Sequence, residues 1–494
     1  MPVQQATTTP VAAGPTSSNG DAYREVAEFF DGFAAVDARW RRRNRGYYDL
    51  LTAIHRALIP PGRSVLEVGS GGGDLLAALE PSRGVGVDVS AGMTKLARER
   101  HPELEFEHVS GEEYAGDERF DYVVLSDLVP FAHDLLALFK NVAQHSKPST
   151  RIVMHSYSQL WRPVFRLAEL LRLKPRKPIR NWVAPHDVDN LLALANLEPV
   201  TLTRRIMLPR RVPLLSTFLN GVVANVWPFK HLCATYWIVA RPRPSLEVAE
   251  QSVSVICPAR DEAGMIGRIV DELPEMGTST ELVFVEGHST DGTREEILRQ
   301  IDHHPERRIR LVTQAGRGKG DAVRQGFAEA EGEILMILDA DLTVRPNDLP
   351  RFYDALAAGH GEFVNGSRLV YGLEKGSMRF LNVLGNKLFS ILYSWLLDQP
   401  VKDTLCGTKA LSKRHYDEIA RGRSFFGDFD PFGDFDLLLG AAKLNLKIVD
   451  LPVRYGARTY GDTKISRFRH GWLLLVMSGF AFRKLKLEVL KLGR

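Results

Sequence analysis

The stretch Val65-Leu-Glu-Val-Gly-Ser-Gly-Gly-Gly73 gives the clearest indication of the fold of the first half of this chain. A short apolar run that ends in closely spaced glycines is typical of a buried strand, a tight turn and a following helix. Glycine lets the backbone turn sharply and approach a ligand without a Cβ clash. Leu75 to Leu79 follows directly and predicts that helix. The stretch therefore predicts a βα unit with a ligand at its turn.

The flanking segments extend this unit into a domain. From Tyr23 to Leu58, apolar residues recur at helical spacing. Beyond the glycines, short apolar runs at Gly84 to Val89, Tyr122 to Leu125 and Ile152 to Met154 alternate with helical stretches. This alternation predicts an α/β fold with a parallel sheet covered by helices.

An acid at the end of the second predicted strand indicates the kind of ligand. Asp88 lies nineteen positions after Gly69, where a carboxylate can accept hydrogen bonds from both ribose hydroxyls. The spacing alone suits NAD equally well, and a glycine-rich turn can also merely pack a helix on a sheet. With Phe120-Asp-Tyr-Val-Val-Leu-Ser-Asp127, however, the motifs closely resemble those of class I S-adenosylmethionine-dependent methyltransferases over about residues 25 to 160.

This resemblance implies a Rossmann-like methyltransferase fold with S-adenosylmethionine as cofactor. It implies that Glu67, Gly69 and Gly71 hold the methionine part and that Asp88 holds the ribose. It also implies that Glu112, in the stretch Gly111 to Glu113, lies near the adenine.

Methyl transfer mainly needs an aligned acceptor, and a hydroxyl acceptor can also need a base. Asp127 and His155 follow the predicted fourth and fifth strands and are the candidates, although a structural role suits each of them better. Residues 161 to 241 match no motif and are expected to cover the acceptor.

A second α/β series follows the segment Arg241-Pro-Arg-Pro-Ser245, which predicts a linker over residues 241–251. The predicted strands of this series are Ser252 to Ile256, Glu281 to Val285, Ile309 to Val312 and Glu333 to Leu338. The last one leads into Asp339-Ala-Asp341. Two carboxylates at a strand end suit Mg²⁺ or Mn²⁺ that bridges the diphosphate of a nucleotide-sugar.

Several further motifs follow in a fixed order. They are Pro258 to Glu262, Ser289-Thr-Asp291-Gly-Thr293, Gly316-Arg-Gly-Lys319-Gly320, Gly366-Ser-Arg368, Asp403-Thr-Leu-Cys406-Gly407 and Arg458-Thr-Tyr-Gly461-Asp-Thr-Lys464. Together they resemble glycosyltransferase family 2 of the GT-A fold over about residues 252 to 470, particularly the polyprenyl-phosphate sugar synthases similar to dolichyl-phosphate mannose synthase.

The second resemblance also implies roles for individual residues. A nucleotide-sugar would be held by Pro258, Glu262, Glu286, Asp291, Lys319 and Asp339, and the metal by Asp339 and Asp341. The family usually has two consecutive acids before Gly-Ser, whereas this chain has Glu286-Gly287-His288. The choice between a UDP-linked and a GDP-linked donor therefore stays open.

The catalytic residues of the second half depend on the acceptor. A lipid phosphate is already anionic, so it needs cations rather than a base. The candidate cations are Arg368, Arg454, Arg458 and Lys464, of which Arg458 and Lys464 match the family best. A hydroxyl acceptor would need a carboxylate base, for which Asp436 and its neighbour Asp434 are the candidates; acids at a helix N-terminus can equally be structural.

Composition bounds the remaining possibilities. A net charge of +4, with no basic patch and interleaved aromatics beyond the Arg39 to Arg45 cluster, argues against nucleic acid as a partner. Three scattered cysteines predict neither disulfides nor a zinc site and fit a cytoplasmic protein. Residues 1–20 lack the features of a secretory signal and are expected to be a disordered tail.

Two apolar segments indicate peripheral contact at the cytoplasmic face of a membrane. Phe380 to Leu397 is amphipathic, and Trp472 to Phe482 runs into the basic Arg483-Lys-Leu-Lys486. Neither offers the about 18 uninterrupted apolar residues of a membrane span. Each suits the membrane interface, and each suits ordinary core packing equally well.

The sequence thus predicts a bifunctional transferase. A methyltransferase domain is expected at 21–240 and a glycosyltransferase domain at 252–494. The glycosyltransferase would use a polyprenyl-phosphate or another cell-envelope acceptor, and the methyltransferase would act in the same pathway. The alternative is a glycosyltransferase for a soluble sugar or polysaccharide hydroxyl, with a non-catalytic S-adenosylmethionine-binding module.

Overall fold

The computed structural model describes residues 18–171, 175–179, 181–212, 214–244, 250–370, 380–425, 435–456, 460 and 467–487. They form two α/β halves, each built on a seven-stranded sheet. The fold class predicted from the sequence is confirmed, with the two domains in the predicted order.

The elements of the N-terminal half follow the predicted alternation up to residue 157. Two further strands, at Leu197–Arg205 and Thr235–Pro242, lie in the stretch 161–241, which was expected only to cover the acceptor. The helices are α1 Ser18–Ala34, α2 Asp37–Arg43, α3 Arg45–Leu58, α4 Asp74–Ala78, α5 Ala91–Arg100, α6 Leu135–Gln144, α7 Arg162–Leu170, α8 Pro185–Leu194 and α9 Leu215–Gly221, with 3₁₀ turns at Gln159–Trp161, Val223–Asn225 and Phe229–Leu232. The strands are β1 Ser64–Val68, β2 Arg83–Asp88, β3 Glu105–His108, β4 Phe120–Ser126, β5 Ser146–Tyr157, β6 Leu197–Arg205 and β7 Thr235–Pro242.

The first sheet has the order β3-β2-β1-β4-β5-β7-β6. The pairs from β3 to β5 are parallel, as predicted, but β7 runs antiparallel to both β5 and β6, so the sheet is mixed rather than parallel throughout. Leu66 of β1 pairs with Val85 of β2 on one side and with Val123 of β4 on the other. The strand order reverses between β1 and β4, and a doubly wound sheet binds its ligand at the carboxyl ends of the strands at such a point.

The second half repeats this architecture with other residues. The helices are α10 Ala263–Glu272, α11 Thr293–His303, α12 Lys319–Glu329, α13 Leu349–Ala357, α14 Phe380–Leu397, α15 Lys413–Arg421, α16 Phe435–Lys443 and α17 Arg467–Phe482, with 3₁₀ turns at Pro346–Asp348 and Arg423–Phe425 and a π-helical turn at Arg483–Leu487. The strands are β8 Val253–Ala259, β9 Thr280–Glu286, β10 Arg308–Thr313, β11 Ile334–Ile337, β12 Phe363–Ser367, β13 Lys409–Ser412 and β14 Ile448–Pro452.

The second sheet has the order β10-β9-β8-β11-β13-β12-β14. Only β13 is reversed, because it runs antiparallel to β11 and β12 while the other pairs are parallel. The order changes direction between β8 and β11. The loops after these two strands therefore lie at the expected ligand edge.

Two predicted boundaries differ from the structure. β7 continues through Arg241 and Pro242, which pair with Glu198 and Leu197, so the sheet takes in the first two residues of the predicted linker. Helix α1 begins at Ser18, inside the predicted tail of residues 1–20. The first difference arises because strand pairing with β6 continues beyond the local sequence pattern.

A buried ionic network joins the two halves. Glu362, which precedes β12, accepts hydrogen bonds on both carboxylate oxygens from Arg151 of β5, at 2.8 and 2.7 Å. Arg241 of β7 lies 3.2 Å from the same carboxylate. Arg151 also donates to the carbonyl of Asn445 at 2.8 Å. Charges removed from water need such partners, so this network fixes how the halves meet.

Candidate active sites

The glycine-rich turn after β1 has the conformation that its sequence requires. Gly69 and Gly71 have φ angles of +76° and +52°, in the left-handed region that favours glycine. The carboxylate of Asp88 holds the turn, because one of its oxygens accepts the Gly71 N–H at 2.8 Å and the other accepts the Ser90 N–H at 2.9 Å. The predicted cofactor residues therefore meet at the switch point of the first sheet.

A cavity of about 160 Å³ lies over this turn. The residues for which cofactor binding was predicted all line it, namely Glu67, Gly69, Gly71, Asp88 and Glu112. The Oε2 atom of Glu67 is buried without a hydrogen-bond partner in the described structure. Burial raises the pKa of Glu67 to about 8, and the nearby Arg41 offsets only part of this effect. A buried carboxyl group of this kind suits a positively charged ligand.

Helix α1 closes one side of the cavity. The hydroxyl of Tyr23 donates to Glu112 and accepts the N–H of His133 at 2.8 Å. Phe30 meets Phe131 edge to face, with ring centroids 5.3 Å apart. Glu112 thus lines the cavity and also holds its cover in place.

The two candidate bases of the first half form one cluster. His155 Nε2 lies 3.1 Å from Asp127 Oδ1, and the hydroxyl of Tyr47 lies 3.1 Å from Asp127 Oδ2. Burial opposes the charge on Asp127, but the attraction of His155 and its hydrogen bond outweigh burial and lower the pKa of Asp127 to about 2. A carboxylate with so low a pKa is a poor base near neutral pH, so its geometry suits a positioning role.

In the second half, the predicted metal residues lie directly after β11 at the switch point. Asp339 Oδ1 lies 2.7 Å from the Lys319 Nζ at the start of α12. A Cβ added to Gly407 would come within 2.2 Å of Asp339 Oδ2 and 2.4 Å of Lys319 Nζ. The absence of a side chain at Gly407 therefore leaves the space that these two charged groups occupy.

The second carboxylate of this pair is also held by its own loop. Asp341 Oδ1 accepts the N–H and the hydroxyl of Thr343 at 3.1 and 2.8 Å. Burial raises the pKa of the Cys257 thiol, and the carboxylates of Asp339, Glu262 and Asp341 raise it further. These three carboxylates therefore lie close to the end of β8, where Cys257 precedes Pro258.

The predicted nucleoside residues join the loops after β8 and β9. Glu286 is buried, and its Oε1 accepts the Ser289 N–H at 2.5 Å. Asp291 accepts the N–H of Ala263 at 3.1 Å, next to the buried Glu262. Together these acids border the same strand ends as the Asp339–Asp341 pair.

Two family models match the chain. Residues 39–202 match the model described as methyltransferase domain, and residues 254–419 match the model described as glycosyl transferase family 2. The dolichol-phosphate mannosyltransferase of Saccharomyces cerevisiae is 30% identical over 230 residues, which cover 43% of this chain and 80% of the yeast protein. The chain belongs to glycosyl transferase family 2. It also carries a methyltransferase domain, and both predicted identities are confirmed.

Other relatives agree with this family 2 assignment. The glycosyltransferase AglJ of Haloferax volcanii is 27% identical over 227 residues, which cover 46% of this chain and 70% of AglJ.

For the first half, a solved SAM-dependent methyltransferase from Thermotoga maritima superposes on 44% of this chain and on 98% of the solved chain, with 18% identity and a TM-score of 0.35. This superposition is weak, so the methyltransferase domain is assigned from the family model and the motifs.

The candidate catalytic residues of the family 2 domain lie in different surroundings. Arg368 forms a bidentate ion pair with the buried Asp403, at 2.7 and 2.9 Å, so its charge is already neutralised. Arg454 is exposed after β14, and Asp436 lies in the first turn of α16 with Arg423 3.2 Å away. The remaining candidates lie outside the described residues and stay predictions; they are Asp434, Arg458 and Lys464.

Sequence reasoning missed two features near the methyltransferase cavity. Arg41 belongs to the basic Arg39 to Arg45 cluster, to which the sequence analysis gave no role. Its side chain is only 26% exposed, lines the cavity and pairs with Asp37 and Asp74. Lys177 also lines the cavity. It belongs to the stretch 159–182, which has seven Lys or Arg residues, one acid and interleaved aromatics. The statement that no further basic patch with aromatics exists was therefore wrong.

Proposed function

We propose that the family 2 domain transfers a sugar from a nucleotide-sugar to a polyprenyl phosphate, with Mg²⁺ or Mn²⁺ bound by Asp339 and Asp341. The observation that carries this proposal is the convergence of Asp339, Asp341 and Lys319 at the switch point of the second sheet. The donor set fits the metal, since Mg²⁺ is usually held by one or two carboxylates plus substrate phosphates. When bound, the metal neutralises charge on the leaving diphosphate.

The nucleotide would lie along the ends of β8 and β9. Pro258, Glu262, Glu286 and Asp291 border this edge, and Lys319 is placed to meet a phosphate instead of, or in addition to, Asp339. The nature of the base, uracil or guanine, is left to the experiment.

A lipid phosphate is the acceptor that best fits the relatives with named substrates. The yeast relative is named for dolichol phosphate and mannose. The acceptor phosphate needs cations, for which we propose Arg454 together with Arg458 and Lys464. Should the acceptor be a hydroxyl, Asp436 would be the base to test first, followed by Asp434.

The membrane surface is proposed to meet α14 and α17. On α14, Leu384, Leu388 and Ile391 lie on one face and are exposed. On α17, Trp472 is 70% exposed. None of the described helices is long and apolar enough to cross a membrane. Helices of this kind suit the cytoplasmic interface of a bilayer rather than its core.

For the first domain we propose methyl transfer from S-adenosylmethionine. The cavity fits this cofactor, because the buried carboxyl of Glu67 suits its positive charge and Asp88 suits its ribose hydroxyls. When bound, S-adenosylmethionine supplies a methyl group primed for transfer. Glu67, Gly69, Gly71, Asp88 and Glu112 would hold it.

Sugar transfer is tested with radiolabelled UDP- and GDP-sugars, Mg²⁺ or Mn²⁺, and polyprenyl phosphate added or omitted. We expect labelled lipid that depends on metal and is lost in Asp341→Asn. Asp417→Asn is the matched control, since Asp417 is an exposed aspartate on α15. Transfer to a soluble sugar without lipid would refute the lipid acceptor, and no transfer to any acceptor would refute the activity.

The cofactor is tested by calorimetric titration with S-adenosylmethionine. We expect binding that is lost in Asp88→Ala, since this change releases the Gly71 N–H and the glycine-rich turn. The exposed Asp117→Ala is the control. Equal affinity of the two variants would contradict the proposed site, and binding without methyl transfer to any envelope lipid would favour a non-catalytic module.

A further inference from the structure

A second cavity of about 490 Å³ adjoins the cofactor cavity of the methyltransferase domain. Lys177 lines both cavities and so marks their junction. Helix α1 borders both as well, because Phe30 lines the cofactor cavity and Phe29 lines the second one. An acceptor bound in the second cavity would therefore lie beside the cofactor.

The second cavity is lined mainly by cations and aromatic rings. Arg162, Arg166 and Arg176 join Lys177 in its lining, against Glu25 and Glu169. The guanidinium of Arg162 lies 5.8 Å from the Trp182 ring, which also lines the cavity. Arginine stays charged at any physiological pH and recognises phosphate groups through its planar fork of donors. The cavity is therefore suited to an anionic ligand.

Arg162 and Arg166 belong to helix α7, and the outer face of this helix is apolar. Leu160, Val164, Leu167 and Leu171 are spaced by three or four residues and thus lie on one face of α7 and its preceding turn. Each is about half exposed. A charged cavity lined by the same helix as an exposed apolar stripe matches a ligand that has a phosphate and a hydrocarbon chain.

Two tryptophan hydrogen bonds connect α7 to the family 2 domain. Trp161 Nε1 donates to the carbonyl of Leu232 at 2.8 Å and so joins α7 to the Phe229–Leu232 turn. Trp395 of α14 donates to the carbonyl of Asn225 at 2.5 Å, which joins that region to the glycosyltransferase half. Trp227, between these contacts, is 73% exposed. Helix α7 is thus connected to the glycosyltransferase half through the segment 225–232.

We infer that the methyl acceptor is a lipid-linked sugar phosphate, whose phosphate lies on Arg162, Arg166 and Arg176 and whose chain lies along α7. This inference rests on the proposed function, since it makes the product of the family 2 domain the substrate of the methyltransferase. A sugar hydroxyl attacks the methyl carbon of S-adenosylmethionine, so a C–O bond forms and the S–C bond breaks. The electron pair of that bond stays on sulfur as S-adenosylhomocysteine leaves, and the hydroxyl proton passes to water.

The test uses the full-length chain and a farnesyl phosphate that carries a photoreactive diazirine. Cross-linked peptides are mapped by mass spectrometry. We expect one set of cross-links in the family 2 domain and a second set within residues 159–182. Unlabelled farnesyl phosphate should compete for the second set at least about tenfold better than mannose 1-phosphate or farnesol, since each of these lacks one half of the ligand.

Matched variants separate the charge from the fold. The double variant Arg162→Gln/Arg166→Gln should reduce the second set of cross-links about tenfold, while calorimetric binding of S-adenosylmethionine stays unchanged. The control Arg42→Gln/Arg43→Gln removes the same charge from exposed positions on α2 and should change neither. Leu167→Ser/Leu171→Ser should weaken the second set, whereas Leu298→Ser on α11 should not.

The outcomes distinguish the two levels of the proposal. Cross-links in the family 2 domain without any in 159–182 would overturn this inference alone, and no cross-links in the family 2 domain would overturn the lipid acceptor itself. Equal competition by mannose 1-phosphate would indicate a site for soluble sugar phosphates, and stronger competition by a short RNA would indicate a nucleic-acid site. Either result would overturn the lipid-linked acceptor.

Discussion

The ionic network between the two halves makes a quantitative prediction for Glu362→Gln. The change keeps the shape of the side chain but removes the negative charge that faces Arg151 and Arg241, whose side chains are each only 4% exposed. Arg241 keeps its second carboxylate partner, Glu198, at 2.7 Å, so the change leaves mainly Arg151 without a negatively charged partner. A buried charge without its partner destabilises a protein strongly, by about 3–5 kcal/mol.

The pKa of Glu362 gives a second value for the folding free energy that this ion pair contributes. Burial opposes its charge, but the attraction of Arg151 and Arg241 outweighs burial and lowers the pKa of Glu362 from 4.5 to about 2. At about 1.4 kcal/mol per pH unit, this difference corresponds to about 3 kcal/mol of folding free energy. Because the pKa is lower in the folded state, the stabilisation is complete above about pH 4.5 and is lost as the pH falls toward 2.

The contribution of Glu362 to the free energy of unfolding is measured at pH 7 by urea unfolding, monitored by circular dichroism, and by thermal unfolding in a calorimeter. We expect Glu362→Gln to unfold at lower urea, with the two halves melting in separate steps since their contact is weakened. The exposed Glu275→Gln, in the same half, should unfold like the wild type. If Glu362→Gln unfolded like Glu275→Gln at pH 7, the ion pair would not stabilise the fold. If the two variants differed equally at pH 2 and pH 7, the stabilisation would not come from the charge of Glu362.

Two further predictions concern the two sites. Gly407→Ala should lower sugar transfer at least about tenfold, because its Cβ would displace Asp339 or Lys319, whereas Gly32→Ala, with open space around it in the other half of the chain, should leave sugar transfer unchanged. Radiolabelled lipid formation measures both, and equal rates would contradict the tight packing at this carboxylate. Binding of S-adenosylmethionine should release about one proton below pH 8, because Glu67 is protonated there and the cationic ligand favours its charged form. Titration calorimetry in buffers of different ionisation enthalpy measures this proton release. The release should vanish in Glu67→Gln and should decrease above pH 8. If the release persisted in Glu67→Gln, the proton would come from another group.

Local patterns were sufficient to predict the strands β1, β2, β8 and β11 and the residues that follow them, whereas β3, β6, β7, β12, β13 and β14 were not predicted. The glycine-rich turn, Asp88 and the Asp339–Asp341 pair occur directly after apolar strand-like runs, and parallel sheets bring such ends together. The residues that meet across the fold could not be derived in this way. Glu112 holds Tyr23, and Arg151 holds Glu362, 211 positions further along the chain. The spacing of residues within a short segment does not indicate such contacts between distant segments.

The acceptor side of the methyltransferase illustrates the same limit. The basic stretch 159–182 was visible in the sequence, but its importance depends on where Lys177 lies. Only the structure places this lysine between the cofactor cavity and the second cavity. A count of charges within each predicted segment, rather than over the whole chain, would have found the signal.

According to the two proposals, one chain performs both transfers on one lipid. A single incubation tests this: the full-length protein is mixed with nucleotide-sugar, polyprenyl phosphate, metal and S-adenosylmethionine, and the extracted lipid is analysed by mass spectrometry. We expect a glycosyl phosphate lipid without S-adenosylmethionine, and the same lipid with a methylated sugar when S-adenosylmethionine is added. A sugar found only on soluble products, or a sugar lipid whose mass does not change with S-adenosylmethionine, would contradict the claim.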